Sequence, residues 1–476
     1  MTTTELTVAA EVRAERAGQR RVMTALTVVV LSYGLMQTML VPTTHVLRHA
    51  LDTSAAGASW AVLSAPLLAS AVVTPLVGRL ADRHGTRRVL LGSLAIHLLG
   101  TLGAAVAPNA GMLITCRAVQ GISLALLPLS FAIIREALPP DRVPAALAVT
   151  SGLVGGTAGA GLLVGGLMTD HASWRWLFVI GALLVAAALV LAALWVPAGS
   201  GQDAGRLDLP GTLVLAAGSA TLLLGITQGP AWGWSSPTAI GTFVAAAVLM
   251  TVFTLIERRV PHPVVDLRVL THRPLLTAHL GALALGTNQF VIYVLVPELA
   301  QLPEAPGGAP AGAAHGFGAS VTGAALLLLP GTVLSLPASW LAPRLERHLT
   351  IRGPLALGLG LAAAGGLLLA VFHAGPVDVL VCYLVCSAGH GLAMAALPRL
   401  VQHATPPARS GSANSVNTVA RTFGGAIGSQ AGTAVIASLA VPGTGLATSA
   451  GFTTAFGVAA AVAALGSLLP LAGRAA

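Results

Sequence analysis

No lysine occurs anywhere in this sequence, and charged residues make up only 9% of it. A soluble domain of this size carries far more charge, so a water-facing globule is excluded. The 55% hydrophobic share and the mean hydropathy of +0.84 point to a chain embedded in a lipid bilayer. All 25 basic residues are arginines, and the formal net charge is +9. They lie scattered between apolar runs and form no basic face, which excludes nucleic acid as a partner. Cysteine is scarce as well. Cys116, Cys382 and Cys386 all fall inside apolar runs, so neither a disulfide framework nor a metal site is implied. No paired carboxylates, metal-ligand spacing or nucleophile–base set stands out, and no enzyme is expected. The polar first 21 residues lack the apolar core and cleavage site of a signal peptide and read as a cytoplasmic tail.

What is present is a series of apolar runs of helix-spanning length. A membrane helix needs about 20 apolar residues. Between Arg21 and Arg474 about fourteen such runs can be placed, from one near Val30 to one near Ala463. The uncharged stretch from Leu209 to Ile256 is too long for one crossing, and Gly229 to Pro237 breaks it into a hairpin. Arginine placement sets the expected orientation. Arg79, Arg83, Arg87, Arg88, Arg135, Arg142, Arg258, Arg259, Arg344, Arg347, Arg352, Arg399 and Arg409 all fall in connections on one side. The other side holds Arg48 and Arg175. The positive-inside rule then puts both termini in the cytoplasm. The segment Leu341 to Arg347 weakly echoes Leu80 to Leu90, with Pro343 in place of Asp82. Such an echo suggests two similar lobes. The expected division is a tail at 1–21, a six-helix lobe at 22–198, a two-helix hairpin at 199–258 and a second six-helix lobe at 259–476. The Gly- and Pro-rich segment from Gln301 to Ala319 is expected to be a flexible loop.

Three motifs carry the chemistry. The first is the tight polar turn from Gly78 to Arg88, with Gly78, Asp82, Arg83, Gly85, Arg87 and Arg88 in the order Gly-x-x-x-Asp-Arg-x-Gly-x-Arg-Arg. The second is Arg117 with Gln120 and Gly121 in the fourth span. An arginine buried in lipid is costly unless it faces a wet cavity or a partner. The spacing puts Arg117 and Gln120 on one helical face. The third is the fifth span, where Gly155, Gly159, Gly161, Gly165 and Gly166 allow helices to approach closely.

These motifs resemble the major facilitator superfamily of transporters: the turn its signature loop, Arg117-x-x-Gln120-Gly121 its fourth-span motif, and the glycine span its antiporter motif. Asp208-Leu209-Pro210-Gly211, Trp232-Gly233-Trp234, the segment from Pro261 to Arg268 and that from Ser410 to Gly428 are similar to the fourteen-span drug:proton antiporters. The resemblance implies an all-α polytopic fold of two six-helix lobes plus an inserted hairpin. It implies export of a small amphiphilic molecule across the cell inner (plasma) membrane, driven by the proton gradient with no bound cofactor, by a monomer in the lipid bilayer. Import or export of a metabolite or small anion on the same fold is the alternative.

Two departures stand out. Leu162 replaces the proline of the antiporter motif, and Gln37 stands in the first span where the family often has an aspartate. Glutamine cannot carry a proton, so the coupling group is sought elsewhere: at Glu298 in the ninth span, at His390 in the twelfth, or at His97. Asn288, Gln289 and Tyr293 are expected to line the cavity. Arg421, deep in the thirteenth span, together with Arg117 makes the interior net positive. Asp82 is expected to latch the cytoplasmic side against the positive dipole end of the helix starting near Ser410.

Overall fold

The computed structural model describes residues 3–472 apart from 44–45, 48–49, 54–60, 63–64, 200–207, 261–262, 264–272, 305–313, 406–409 and 442–446. Residues 305–313 of the segment read as a loop from Gln301 to Ala319, and most of the Pro261–Arg268 motif, therefore lie outside the described residues.

Helices make up the structure. The first, α1 (Thr3–Thr38), runs unbroken from the polar tail into the first span. The tail expected at 1–21 is thus helical from Thr3 onward. Next come α2 (Ala65–His84) and α3 (Thr86–Ala105). Between them Gly85 sits at φ 87°, a conformation that favours glycine, which is why the turn can be this tight. The fourth span is not one helix. It divides into α4 (Ala110–Gln120), a 3-10 turn (Gly121–Ala125) and α5 (Leu126–Ala137). Gly121 lies against the backbone of Pro66 and Ser70, where a Cβ would not fit. The glycine helix is α6 (Val143–His171), followed by α7 (Arg175–Trp195).

The hairpin consists of α8 (Leu209–Trp232) and α9 (Pro237–Glu257). Gly233, at φ 81°, makes the turn, and the Ser236 hydroxyl caps α9 by accepting from the Ala239 amide. The remaining helices are α10 (Arg273–Gln301), α11 (Val321–His348), α12 (Gly353–Val371), α13 (Pro376–His403), α14 (Ser410–Ser438) and α15 (Ser449–Ala472).

Among the described residues, twelve helical segments are long and apolar enough to cross a membrane, against the fourteen expected. The two expected spans outside that set are α8, with a shorter apolar run at Pro210–Ile226, and α14. The reason at α14 is composition. Asn414, Asn417, Thr418, Arg421, Thr422, Ser429 and Gln430 are all buried there, facing protein rather than lipid.

The packing repeats itself. In the first bundle α1 lies against α6 and α7, and α3 lies against α4 and α7. In the second bundle α10 lies against α14 and α15, and α12 against α13 and α15, in the same order. The two bundles meet along two seams, α6 with α11 and α2 with α14. The hairpin stands outside this pair, its α8 leaning on α2 and α14. Its outward leucines and valines, such as Leu213, Val244 and Val248, are exposed as lipid-facing residues would be.

Candidate functional site

The face carrying the Gly78–Arg88 turn is called here the arginine face. A cavity of about 1020 Å³ lies there between the helix ends of both bundles. Asp82, Arg135 and Glu136 line it from the first bundle, and Glu346, Arg399 and Gln402 from the second. Asp82 is half-buried in this wall. Behind it Thr86 donates to Glu136 at 2.7 Å, and Arg87 donates to the Ala193 carbonyl, tying the turn to α5 and α7. Opposite, Arg399 pairs with Glu346 at 2.6 Å. Gly78 also borders the cavity, while Arg83 and Arg88 are exposed on the rim.

The other face is held together. Asp170, at the end of α6, accepts from the Thr322 amide at 3.2 Å and from its hydroxyl at 2.7 Å. Thr322 is in the first turn of α11, so the carboxylate sits at a positive helix end supplied by the other bundle. The glycines of α6 divide between two neighbours. A Cβ on Gly161 would strike α1 at Leu35 and Thr38, and one on Gly165 would strike the Met39 backbone just past the end of α1. One on Gly159 or Gly166 would strike α11 at Thr332 or Thr322. One glycine set therefore packs the first bundle, and the other forms a bundle seam. Gly155 lies outside the residues whose surroundings are described.

Two small buried pockets lie deeper. The first belongs to the first bundle and is lined by Gln37, His97, Arg117 and Gln120. Arg117 is 2% exposed. Its guanidinium donates to the Ala61 carbonyl at 3.1 Å, to the Val62 carbonyl at 2.8 Å and to Gln120 Oε1 at 2.6 Å. Gln120 in turn donates to Thr101 at 3.0 Å. The amide nitrogen of Gln37 and both ring nitrogens of His97 are buried without a partner.

The second pocket joins the bundles. Ser151 and Gly152 come from α6, Gln289 and Tyr293 from α10, and Ser387 and His390 from α13. Gln289 donates to the Tyr293 hydroxyl at 3.0 Å, and the rings of Tyr293 and His390 meet edge-on at 6.5 Å. His390 bonds Asn288 at 2.7 Å, and Asn288 donates to the Ala459 carbonyl at 3.0 Å. Arg421 is buried beside α10 and donates to the Tyr33 hydroxyl of the first bundle at 3.2 Å. The sequence-predicted residues Asn288, Gln289, Tyr293 and His390 thus come together, and Gln37, Arg117 and Gln120 form a separate group. Glu298 joins neither, because the rotation of α10 leaves it exposed. Asp170, Thr322 and Tyr33 escaped sequence reasoning, since each acts through a partner far along the chain.

Two helical bundles of membrane-spanning length, with charged and polar side chains gathered at their seams and glycines in close contact across one of them, have the architecture of a multi-pass membrane transporter. The chain belongs to the Major Facilitator Superfamily, whose family model matches residues 26–429. Among its relatives, Multidrug resistance protein 3 of Bacillus subtilis is 26% identical over 358 residues, covering 74% of this chain and 67% of that protein. Puromycin resistance protein pur8 of Streptomyces alboniger is 31% identical over 386 residues, covering 77% and 72%. Multidrug resistance protein Stp of Mycobacterium tuberculosis is 29% identical over 377 residues, covering 78% and 67%. A crystal structure of the human organic anion transporter MFSD10 (TETRAN) superposes with a TM-score of 0.64 at 15% identity, over 95% of this chain and 99% of that one. At that identity the likeness concerns the fold.

Proposed function

We propose that the protein exports small amphiphilic molecules across the cytoplasmic membrane by proton antiport, with the two bundles rocking about the seams. The observation that carries this reading is the pairing of a large cavity at the arginine face with a latched opposite face. In this arrangement cargo enters from the arginine side, which the positive-inside rule makes the cytoplasm. The relatives named for multidrug and puromycin resistance support export over import. The protein is expected to act as a monomer, since each bundle seam is completed within one chain.

Asp82 then serves the opposite half-cycle. When the arginine face closes, its carboxylate approaches the start of α14, as Asp170 meets the start of α11 here. Asp82→Asn is expected to abolish export without lowering the amount of protein in the membrane. Resistance of an efflux-deficient host to puromycin, with immunoblots of membranes, checks this. Unchanged resistance would refute the latch.

A second reading, transport of a small anion, is favoured by one observation. Among the described residues, the buried acids Asp208 and Glu257 both belong to the hairpin, whereas the bundles bury Arg117 and Arg421. Uptake of an anionic dye but not of its neutral ester into inverted vesicles would favour it.

A further inference from the structure

Rotating an amide or an imidazole by half a turn exchanges donor for acceptor, so the partners decide which atom carries hydrogen. A backbone carbonyl can only accept. The bond to the Ala459 carbonyl therefore fixes the Asn288 amide with Nδ2 toward α15 and Oδ1 toward α13. Oδ1 also can only accept, so the 2.7 Å bond to His390 puts a hydrogen on Nε2. In the neutral ring Nδ1 is then a bare lone pair. It is buried and has no partner. His390 lines the pocket shared by the bundles, whose volume of about 10 Å³ is close to what one water needs. Ser151 and Ser387 bring hydroxyls without partners to the same pocket.

From these constraints we infer that His390 Nδ1 is the proton acceptor that couples transport to the proton gradient, held ready by Asn288. This rests on the antiport reading above. Protonation needs no rearrangement. Nε2–H keeps its bond to Asn288, and the new Nδ1–H finds a hydroxyl or a water. Tyr293 of α10, Tyr383 and Cys386 of α13 and Arg421 of α14, whose field reaches Tyr293, are the ionisable groups of this wall. The faces of α6 and α11 contribute hydroxyls, and α15 contributes the Ala459 carbonyl.

The other buried histidines also carry unpartnered ring nitrogens, but neither lines the pocket shared by the bundles. His97 shares its pocket with the Arg117 guanidinium and lies within one bundle. His279 is met by Asn417 at 3.5 Å and lines neither pocket. The arginine-face cavity ends at Leu147 of α6, one helical turn (about 6 Å) before Ser151. In the present state the proton leaves Nδ1 toward that cavity. The bare lone pair then accepts a hydrogen bond from a donor group on the cargo. After the bundles rock, a proton from the other side occupies the lone pair, converts the acceptor into a donor and releases the cargo. Proton and cargo exclude one another at a single atom, which is what antiport requires.

The test reads the ring first. Full-length protein labelled with ¹⁵N-histidine is placed in lipid vesicles, and the difference spectrum against His390→Gln isolates one imidazole. The expected ring is an Nε2–H tautomer at high pH that becomes imidazolium as pH falls. In Asn288→Leu the ring should lose its preference for that tautomer. A ring with its proton on Nδ1, or one that stays neutral over the whole pH range in which the protein is folded, would overturn the assignment. The second readout is puromycin flux in proteoliposomes. His390→Gln is expected to lose accumulation driven by an imposed pH gradient far more than it lowers puromycin–puromycin exchange, because the glutamine oxygen still accepts a hydrogen bond but takes no proton, and Asn288→Leu is expected to shift the pH profile of both. If His390→Gln retains gradient-driven accumulation, or loses exchange in the same proportion, the assignment falls. A wild type that exchanges puromycin but ignores the gradient defeats the antiport reading instead and leaves the ring titration standing.

Discussion

Replacing Gly166 by valine is expected to abolish export while leaving a folded protein in the membrane. The seam between α6 and α11 is tight along its length, but its contacts differ in kind. At Gly152, Gly156 and Gly159 the obstacle to a new Cβ is a side chain, of Ser339, Leu336 and Thr332 in turn. A side chain can change rotamer, although Thr332 and Ser339 are buried. At Gly166 the obstacle is the Thr322 backbone, at 2.9 Å. Backbone at a helix start cannot turn aside, so the bundles must separate there. Overpacking of this kind costs about 1–3 kcal/mol. In the rocking mechanism proposed above, two states that differ by a few kcal/mol would have their populations reversed by a cost of this size.

The same step breaks the Asp170–Thr322 latch, because the latch needs the two helix ends in contact. Spin labels at Ser173 and Ala319, both beside that junction, should move apart in Gly166→Val. An unchanged distance together with retained export would contradict the seam argument. Gly165→Ala provides the contrast. Gly165 meets the Met39 carbonyl within one bundle, so its substitution should lower the melting temperature and leave the label distance alone. Asp170→Asn should act in the direction of Gly166→Val but more weakly. Its carboxylate is exposed, and a charge at an exposed helix end contributes about 0.3–1 kcal/mol.

The contrast between Gly165 and Gly166 also marks how far the sequence could be read. Glycine spacing announces close helix contact, and α6 does pack closely. Adjacent residues of a helix point about 100° apart, so only the three-dimensional arrangement assigns Gly165 to the end of α1 and Gly166 to α11. Arg117 and Gln120 were legible as one face because they are three residues apart, and Gly85 was legible as a turn because few other residues suit its backbone. The partners of these groups were not legible. Ala61 and Val62 lie 56 and 55 residues from Arg117, His390 lies 102 from Asn288, and Arg421 lies 388 from Tyr33. Glu298 shows the same limit from the other side. Its position within an apolar run is correct, but the face it occupies depends on the rotation of α10, which local sequence does not fix. The polar load of α14 has the same origin, since a span enclosed by other helices need not look apolar.

Arg117→Lys is expected to be nearly as damaging as Arg117→Ala, and the reason is geometry rather than charge. The guanidinium reaches two consecutive backbone carbonyls, of Ala61 and Val62, and a side-chain amide on its own helix. A planar fork fits that set, whereas an ammonium on a flexible stem serves one or two of its members at a time. The amide passes the constraint onward. Gln120 donates to Thr101, and the Thr101 hydroxyl donates to the His97 carbonyl at 2.8 Å. Removing Arg117 therefore loosens the segment before α2, the break between α4 and α5, and the middle of α3 together. Each acceptor left dry costs about 1–3 kcal/mol, so alanine should destabilise the first bundle by on the order of 3 kcal/mol. The bundle that loosens is the one that carries Asp82 and the α6 seam. Export should fall to background in both variants, with a lower melting temperature of the purified protein in alanine than in lysine. Full export by Arg117→Lys would show that a positive charge alone suffices at this position and that the fork to Ala61 and Val62 is dispensable.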